Sequence, residues 1–387
     1  MSDILDFYST NSLSWDQLEF AGGELRNLHY GMIHVGLPTL VDLAENELPN
    51  IKQSYVPKNY ELCADGDVAF ADASEDTNDV AKAIELINTN GQQVVFGLHT
   101  IHGRDNKGIT AKGFKGYAFA SKVFHDQIKR IAQGTKIFSI NSKNFAECYI
   151  GVPSLQEQER IAHLLSIIDR RIAVQNKIIE RLQSLMGGIV VKHYNNCDEK
   201  KQVTIADIGE SFTVMNLSKE QLSPSGQLCV LYGELFTTYN CVISSVVSRT
   251  TVTDGVSMSH KNDLLFPSST TVDAISLIAP SAITQDGIIL GGDMFGIHIN
   301  ENYNNVYLAY LINYIEKRNL AKFGQGSTIV HLHYNDISRA KIHVPNLEEQ
   351  SKLVAIVGTI KAKIDCEINL LIKCQQLKEY LLSQMFI

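Results

Sequence analysis

The residue types that could do chemistry are plentiful, so their spacing decides what they can do. Twelve histidines include two strand-spaced pairs, His99 with His102 and His331 with His333, either of which could be a ligand pair. Flanking apolar residues give them the ordinary setting of surface or core histidines. Asp65, Asp67, Asp72, Glu75 and Asp76 cluster but lack the spacing of a calcium loop, and they read as a solvated turn. Seven cysteines (Cys63, Cys148, Cys197, Cys229, Cys241, Cys366 and Cys374) are an odd number without a C-x-x-C pair. They suggest reduced thiols in a cytoplasmic protein, with neither a zinc site nor a disulfide framework. No H-E-x-x-H or G-x-S-x-G occurs, and no glycine fingerprint stands between a strand and a helix. The expectation is no catalytic set, no metal set and no cofactor in this chain.

Phosphate binding is the remaining chemistry to test against composition. The net charge of −8 argues against a free-standing nucleic-acid binder, but it averages unlike segments. Residues 1–79 hold 15 Asp/Glu against Arg26, Lys52 and Lys58, whereas residues 101–143 hold nine Lys/Arg against Asp105 and Asp126. Within the basic segment Arg104, Lys107 and Lys112 are the first candidates for DNA contacts. The turns Gly134-Thr135-Lys136 and Gly326-Ser327-Thr328, the latter followed by His331, are the second, since free amides and hydroxyls meet phosphates well. A solvated face is the competing reading of the same charges.

These residues hang on a repeated framework. From Pro153, Ser154 and Glu157 have capping-box spacing, and apolar residues recur at Ile161, Leu165, Ile168, Ile172, Ile179, Leu182 and Met186 with Gln175 in the gap. Gly187 and Gly188 mark a place where this helix can stop or bend. From Pro345 the pattern returns at Leu353, Val357, Ile360, Ile364, Leu371, Cys374 and Leu381, with Glu367 in the gap. At an offset of 192, nine of the 26 positions from Gln133 to Gln158 are identical to Gln325 to Gln350. The predicted organisation is a mixed α/β (α+β) globule at 1–152, a central spacer helix at 153–192, a second α/β globule at 193–344 and a C-terminal spacer helix at 345–387. Two heptad helices in one chain pair most simply antiparallel, as spacers of roughly 57 Å at 1.5 Å per residue. Predicted strands are 28–35, 68–71, 94–101, 136–140 and 148–152, with helices at 78–88 and 114–132. The second globule should carry strands at 230–233, 241–247, 263–266 and 288–290, and a helix at 305–323. No apolar run approaches the roughly 20 residues of a membrane span, and the start Met1-Ser2-Asp3 is unlike a signal peptide.

The run Val152-Pro153-Ser154-Leu155-Gln156-Glu157-Gln158, its partner Val344-Pro345-Asn346-Leu347-Glu348-Glu349-Gln350, and the upstream Gly134-Thr135 and Gly326-Ser327 resemble the repeated motif of type I restriction–modification specificity subunits. The resemblance covers nearly the whole chain. It departs from the family at its short leader and at Lys361, which stands where the first helix has Asp169. It implies a non-catalytic reader with two target recognition domains, each reading half of a bipartite site in double-stranded DNA. The helices would dock two methyltransferase subunits, and restriction subunits would join them. S-adenosylmethionine, ATP and magnesium would belong to those partners. The residues alone also admit a stand-alone pseudo-dimeric DNA-binding or scaffold protein, or a hydrolase whose site goes undetected.

Overall fold

Two five-stranded sheets of the same design organise the protein, a computed structural model that describes residues 1–140 and 142–386. The first sheet contains β1 (Asp6–Tyr8), β2 (Leu40–Asp42), β3 (Val68–Ala71), β4 (Ala83–Asn88) and β5 (Thr100–Arg104), in the order β1-β5-β3-β4-β2. The second contains β6 (Gly209–Thr213), β7 (Val242–Ile243), β8 (Asp263–Pro267), β9 (Ser281–Ile283) and β10 (Met294–Ile299), in the order β6-β10-β8-β9-β7. In both, the last pair of neighbours runs parallel and every other pair antiparallel. The central strands β3 and β8 are buried along their whole length, as strands covered on both faces must be.

After the sheets come α1 (Phe114–Phe119), α2 (Lys122–Ile131) and the long α3 (Leu155–Asn196). The second half of the chain has α4 (Asn305–Leu311), a π turn at Ile312–Glu316, α5 (Lys317–Ala321) and the long α6 (Leu347–Met385). The compact units are Met1–Lys177 with Ile368–Ile387, and Ile178–Glu367. Each unit therefore holds one globule and a half of each long helix. The last residue of the expected 345–387 segment lies outside the described residues.

Within each unit the two helix halves run antiparallel. In the first, Ile161, Ala162 and Leu165 bury against Phe114, Tyr117 and Phe386, with Leu381, Leu382 and Met385 packed alongside. One turn further along α3, Asp169 accepts from Tyr117 Oη at 2.8 Å and pairs with Lys378 Nζ at 2.6 Å. In the second unit the last turns of α3 meet the first turn of α6, with His193 Nε2 3.3 Å from Glu349 Oε2. The seam follows the 3.5-residue period. Ile161, Leu165, Ile168, Ile179, Leu353, Val357 and Ile364 are buried, Ile172, Ile360 and Leu371 are half-buried, and Gln175 and Glu367 are buried polar members.

The start of each long helix is fixed by the same device. Gln158 Nε2 donates to Pro153 O at 2.8 Å and Ile109 O at 3.1 Å, while its Oε1 accepts from Ala111 N at 2.8 Å. Gln350 Nε2 donates to Pro345 O at 2.9 Å, and its Oε1 accepts from Asn304 N at 2.9 Å. Both glutamines are 1% exposed, and each joins an otherwise exposed helix start to the loop of its own globule. Half of the expected capping box is also present: Ser154 and Asn346 side chains accept from Glu157 N and Glu349 N. The carboxylates turn elsewhere, Glu157 to Arg160 and Glu349 to Lys352.

Several expected elements differ. The strand near Leu28 covers Leu25–Leu28, and Tyr30–His34 is a helical turn started by His29 Nδ1, which accepts from Gly31 N at 3.1 Å. The expected helix 78–88 is instead β4, buried between β2 and β3, where a strand covered on both faces loses its alternation. The expected strand 94–101 is two strands broken at His99, whose φ is +55°. The expected helix 114–132 breaks where Ser121 Oγ accepts from Phe124 N and starts α2. Residues 148–152 form no strand. There the main-chain oxygens of Ala146 and Cys148 hold the amino group of Met1, at 3.0 and 2.6 Å. At Gly187-Gly188, where the helix could stop or bend, it does not stop, and α3 continues to Asn196. A Cβ on Gly187 would lie 2.8 Å from the Tyr314 ring, so this glycine serves a close approach.

Replacing Gln158 by Ala should leave the Ala111 amide buried without an acceptor and cost about 2 kcal/mol. Urea unfolding of the full chain followed by hydrogen exchange at Ala111 checks it; unchanged protection would show that the glutamine does not hold the loop.

Candidate nucleic-acid interface

Of the expected phosphate contacts, Arg104 is committed inside the first unit. Its Nε and Nη2 donate to the two oxygens of Asp67 at 2.8 and 2.7 Å, its Nη1 donates to Glu61 at 2.9 Å, and the guanidinium stands 4.6 Å above the Tyr8 ring. Asp67 is fully buried at the head of β3 and also holds His102 Nε2 at 2.7 Å. Burial works against its charge, but the hydrogen bonds from Arg104 and His102 outweigh it and keep the carboxyl below its usual range. Arg104 is held well above the ordinary guanidinium value, chiefly by its hydrogen bonds to Asp67. Lys107 Nζ donates to Asp3 O at 2.9 Å, and Lys112 pairs with Asp65 at 3.2 Å. Lys115 is buried against Glu85, whose oxygens also accept the amides of Gly113 and Gly116 and so fasten the start of α1.

The basic groups that face solvent lie further on. Lys129, Arg130, Lys136 and Lys143 are exposed, and among the described residues no carboxylate stands within ion-pair distance of them. They surround a hairpin closed by paired main-chain bonds between Gln133 and Ser139, both 2.9 Å. The second unit repeats it between Gln325 and His331, at 2.9 and 2.7 Å. Gly134 (φ +136°) and Gly326 (φ +113°) make the turns, and a Cβ on either would lie within 1.9 and 2.1 Å of the oxygen of Ile137 and Ile329. Thr135, Lys136, Ser327 and Thr328 are all exposed on these turns, and His331 follows exposed at the hairpin base. Asp336 braces the second hairpin, accepting from Gln325 Nε2 at 3.0 Å and from His333 N at 2.7 Å. Beside it opens a cleft of about 700 Å³ lined by Phe212, Phe295, His333 and Tyr334 among others.

The histidine pairs do not act together on one ion. His99 sits exposed against Asp72 at 3.1 Å while His102 is buried against Asp67. His331 and His333 lie parallel on the surface with ring centroids 6.3 Å apart. The acidic cluster is not all solvated, since Asp67 is a core residue. Sequence reasoning missed an internal echo of it: Asp263 heads β8, is buried, and holds His298 Nδ1 at 2.6 Å. The sign was available in the matched positions of Asp67/His102 and Asp263/His298, both 35 residues apart.

Comparison with known proteins decides the family. Residues 39–184 and 198–375 match the type I restriction modification DNA specificity domain, one copy in each half. The chain belongs to this specificity family. A protein of Methanocaldococcus jannaschii described as the MjaX specificity subunit of a type I restriction enzyme is 25% identical over 330 residues, covering 81% of this chain and 74% of its own. The S subunit of a type I restriction–modification system from M. genitalium has the same fold, with TM-score 0.58 and 14% identity over 100% of this chain and 94% of that one. A structure from work on the assembly and conformational transition of the type I system gives TM-score 0.54 and 13% identity, over 92% and 90%. No helix among the described residues is long and apolar enough to cross a membrane. The Gly134 and Gly326 hairpins are a matched pair of exposed turns, one in each unit.

Arg104→Ala should remove the cation that balances the buried Asp67 and cost about 3 kcal/mol in the first unit. Chemical denaturation checks it; a variant as stable as the parent would free Arg104 for the surface role.

Proposed function

We propose that this chain is the non-catalytic DNA reader of a type I restriction–modification complex, each unit reading one half of a bipartite site. The observation that carries the reading is the duplication: the same strand order, the same glutamine-fixed helix start and the same glycine hairpin occur once per unit. Two equivalent readers in one chain fit two half-sites separated by an unread gap, with the paired helices setting that gap. Methyl transfer and cleavage then fall to two methyltransferase subunits and to restriction subunits, which bring S-adenosylmethionine, ATP and magnesium.

The seam residues are turned inward, so the methyltransferase subunits dock on the outer helix faces. There Leu164, Ile167 and Val174 of α3, and Ile372, Leu377 and Tyr380 of α6, are exposed apolar side chains on otherwise polar helices. Lys129, Arg130, Lys136 and Lys143 supply phosphate contacts of the first unit, together with the amides and hydroxyls of its hairpin. Gly326, Ser327, Thr328 and His331 do the same in the second. Lys107 and Lys112, tied to Asp3 and Asp65, contribute less.

The main test is the map of methylated bases in cells carrying the complete system. Two short motifs at a fixed separation are expected; one uninterrupted motif would leave a unit with nothing to read. The second test changes Lys129, Arg130, Lys136 and Lys143 together to Gln. If all four meet phosphates, the slope of log affinity against log salt for the assembled complex should fall by about 3.6, at roughly 0.9 per contact. An unchanged slope would return these residues to a solvated face.

A further inference from the structure

Where the last turns of α3 meet the first turn of α6, inside the second unit, three donors of different chemistry converge. His193 lies in the last turn of α3, and Cys197 is the first residue after it, its amide still donating to His193 O at 3.2 Å. Glu349, on α6, points Oε2 at both: it is 3.3 Å from His193 Nε2 and 3.8 Å from Cys197 Sγ. Its other oxygen, Oε1, is taken by Lys352 at 2.7 Å. The thiol lies 3.7 Å from His193 Nδ1.

The thiol reaches both neighbours, His193 Nδ1 and Glu349 Oε2, and the other imidazole nitrogen is left unsatisfied. His193 Nε2 is buried and, despite its nearness to Glu349, has no hydrogen-bond partner. A second orphan stands on α4, whose N-cap Asn304 is tied to Gln350, the residue after Glu349, at 2.9 Å. Tyr307 is 1% exposed, and its hydroxyl has no hydrogen-bond partner. A buried hydroxyl and a buried imidazole nitrogen that both lack partners are each costly in a protein interior.

The one ligand atom that each residue offers lies within 4.8 Å of the other two, so modest side-chain adjustment brings all three onto one ion. Around four-coordinate zinc, bonds of about 2.0–2.1 Å to nitrogen, 2.0–2.2 Å to oxygen and 2.3 Å to sulfur put neighbouring donors roughly 3.3–3.7 Å apart. A thiolate and an imidazole in the set favour zinc-class ions over magnesium or calcium. We propose that His193, Cys197 and Glu349 bind one zinc-class divalent ion. A water completes the coordination and is held by the hydroxyl of Tyr307. On binding, the Cys197 thiol gives its proton to solvent and the sulfur bonds the metal, with no change of oxidation state. The ion ties the end of α3 to the start of α6 and, through Tyr307, to α4.

Two other donor clusters carry less. At Cys63, Asp67 and His102 the guanidinium of Arg104 already supplies the cation. At His260, Asp263 and His298 the oxygens of Asp263 are engaged by His298 Nδ1 and by the His260 amide, and His260 is mostly exposed.

The test uses the full chain, stripped with a chelator under reducing conditions and titrated with cobalt(II). The expected result is saturation at one equivalent, with a thiolate-to-cobalt charge-transfer band and the visible bands of four-coordinate cobalt, both erased by added zinc. Cys197→Ser should abolish the charge-transfer band, His193→Gln should weaken binding at least tenfold, and Cys374→Ser should change neither. Tyr307→Phe should weaken binding by about tenfold to a hundredfold, as loss of an outer partner does. Absence of saturable binding, or a charge-transfer band that survives in Cys197→Ser, overturns the site. Should Cys197→Ser fail to fold, X-ray absorption of the zinc-loaded parent decides the same point: one sulfur among nitrogen and oxygen ligands supports the site, and an all-oxygen shell overturns it.

Discussion

Neither long helix can bury its own apolar seam, and the rest of the molecule follows from that constraint. A heptad stripe on a single helix leaves a continuous apolar edge in water, and only a second stripe of the same period covers it. The chain supplies the second stripe at its far end. The first unit is therefore closed by residues 368–386, where Leu381, Leu382, Met385 and Phe386 complete the cluster around Leu165 and Phe114. Lys378 completes the charge pair of Asp169, to which Tyr117 also donates. A unit that begins at Met1 thus waits for the last residues of the chain before its core is whole. Such long-range closure slows folding, and it also makes the two helices inseparable from the globules they serve.

The duplication separates scaffold from solution. What both units keep is geometric: strand order, the parallel edge pair, the buried glutamine, and the glycine whose Cβ would strike a carbonyl oxygen. How each unit balances a buried carboxylate differs. Asp67 has a permanent cation in Arg104 beside His102, whereas Asp263 has two histidines, His298 bonded to it and His260 nearby. A buried aspartate needs compensation, and the two units meet that requirement with different hydrogen-bond donors.

This also explains which features could be read from the sequence. The long helices were legible because a 3.5-residue period persists over many turns and because their starts are nearly copied. The offset of 192 exposed the hairpins for the same reason. The strand β4 was misread as a helix because burial on both faces removes the alternation that marks a strand. The task of Arg104 was invisible because Asp67 lies 37 residues before it and Glu61 lies 43 before it. The cluster of His193, Cys197 and Glu349 escaped for a stronger version of that reason. Metal motifs are recognised by short spacings, and here 152 residues separate the thiol from the carboxylate.

The electrostatics carry a last consequence for the proposed role. A chain of net charge −8 with an acidic first segment repels a polyanion at long range, and within its basic stretch Arg104, Lys112, Lys115 and Lys122 are paired with carboxylates. What remains exposed near the first hairpin is a small cationic patch between residues 129 and 143, set on turns whose backbone amides are held by glycine geometry. Such a patch can orient a duplex without gripping it. Counterion release scales with the number of phosphates neutralised, so a few lysines supply register while strong binding requires many more contacts. Four cations at roughly 0.9 per contact account for only a shallow salt dependence, so a reader that relied on this patch alone would hold its duplex weakly at physiological salt.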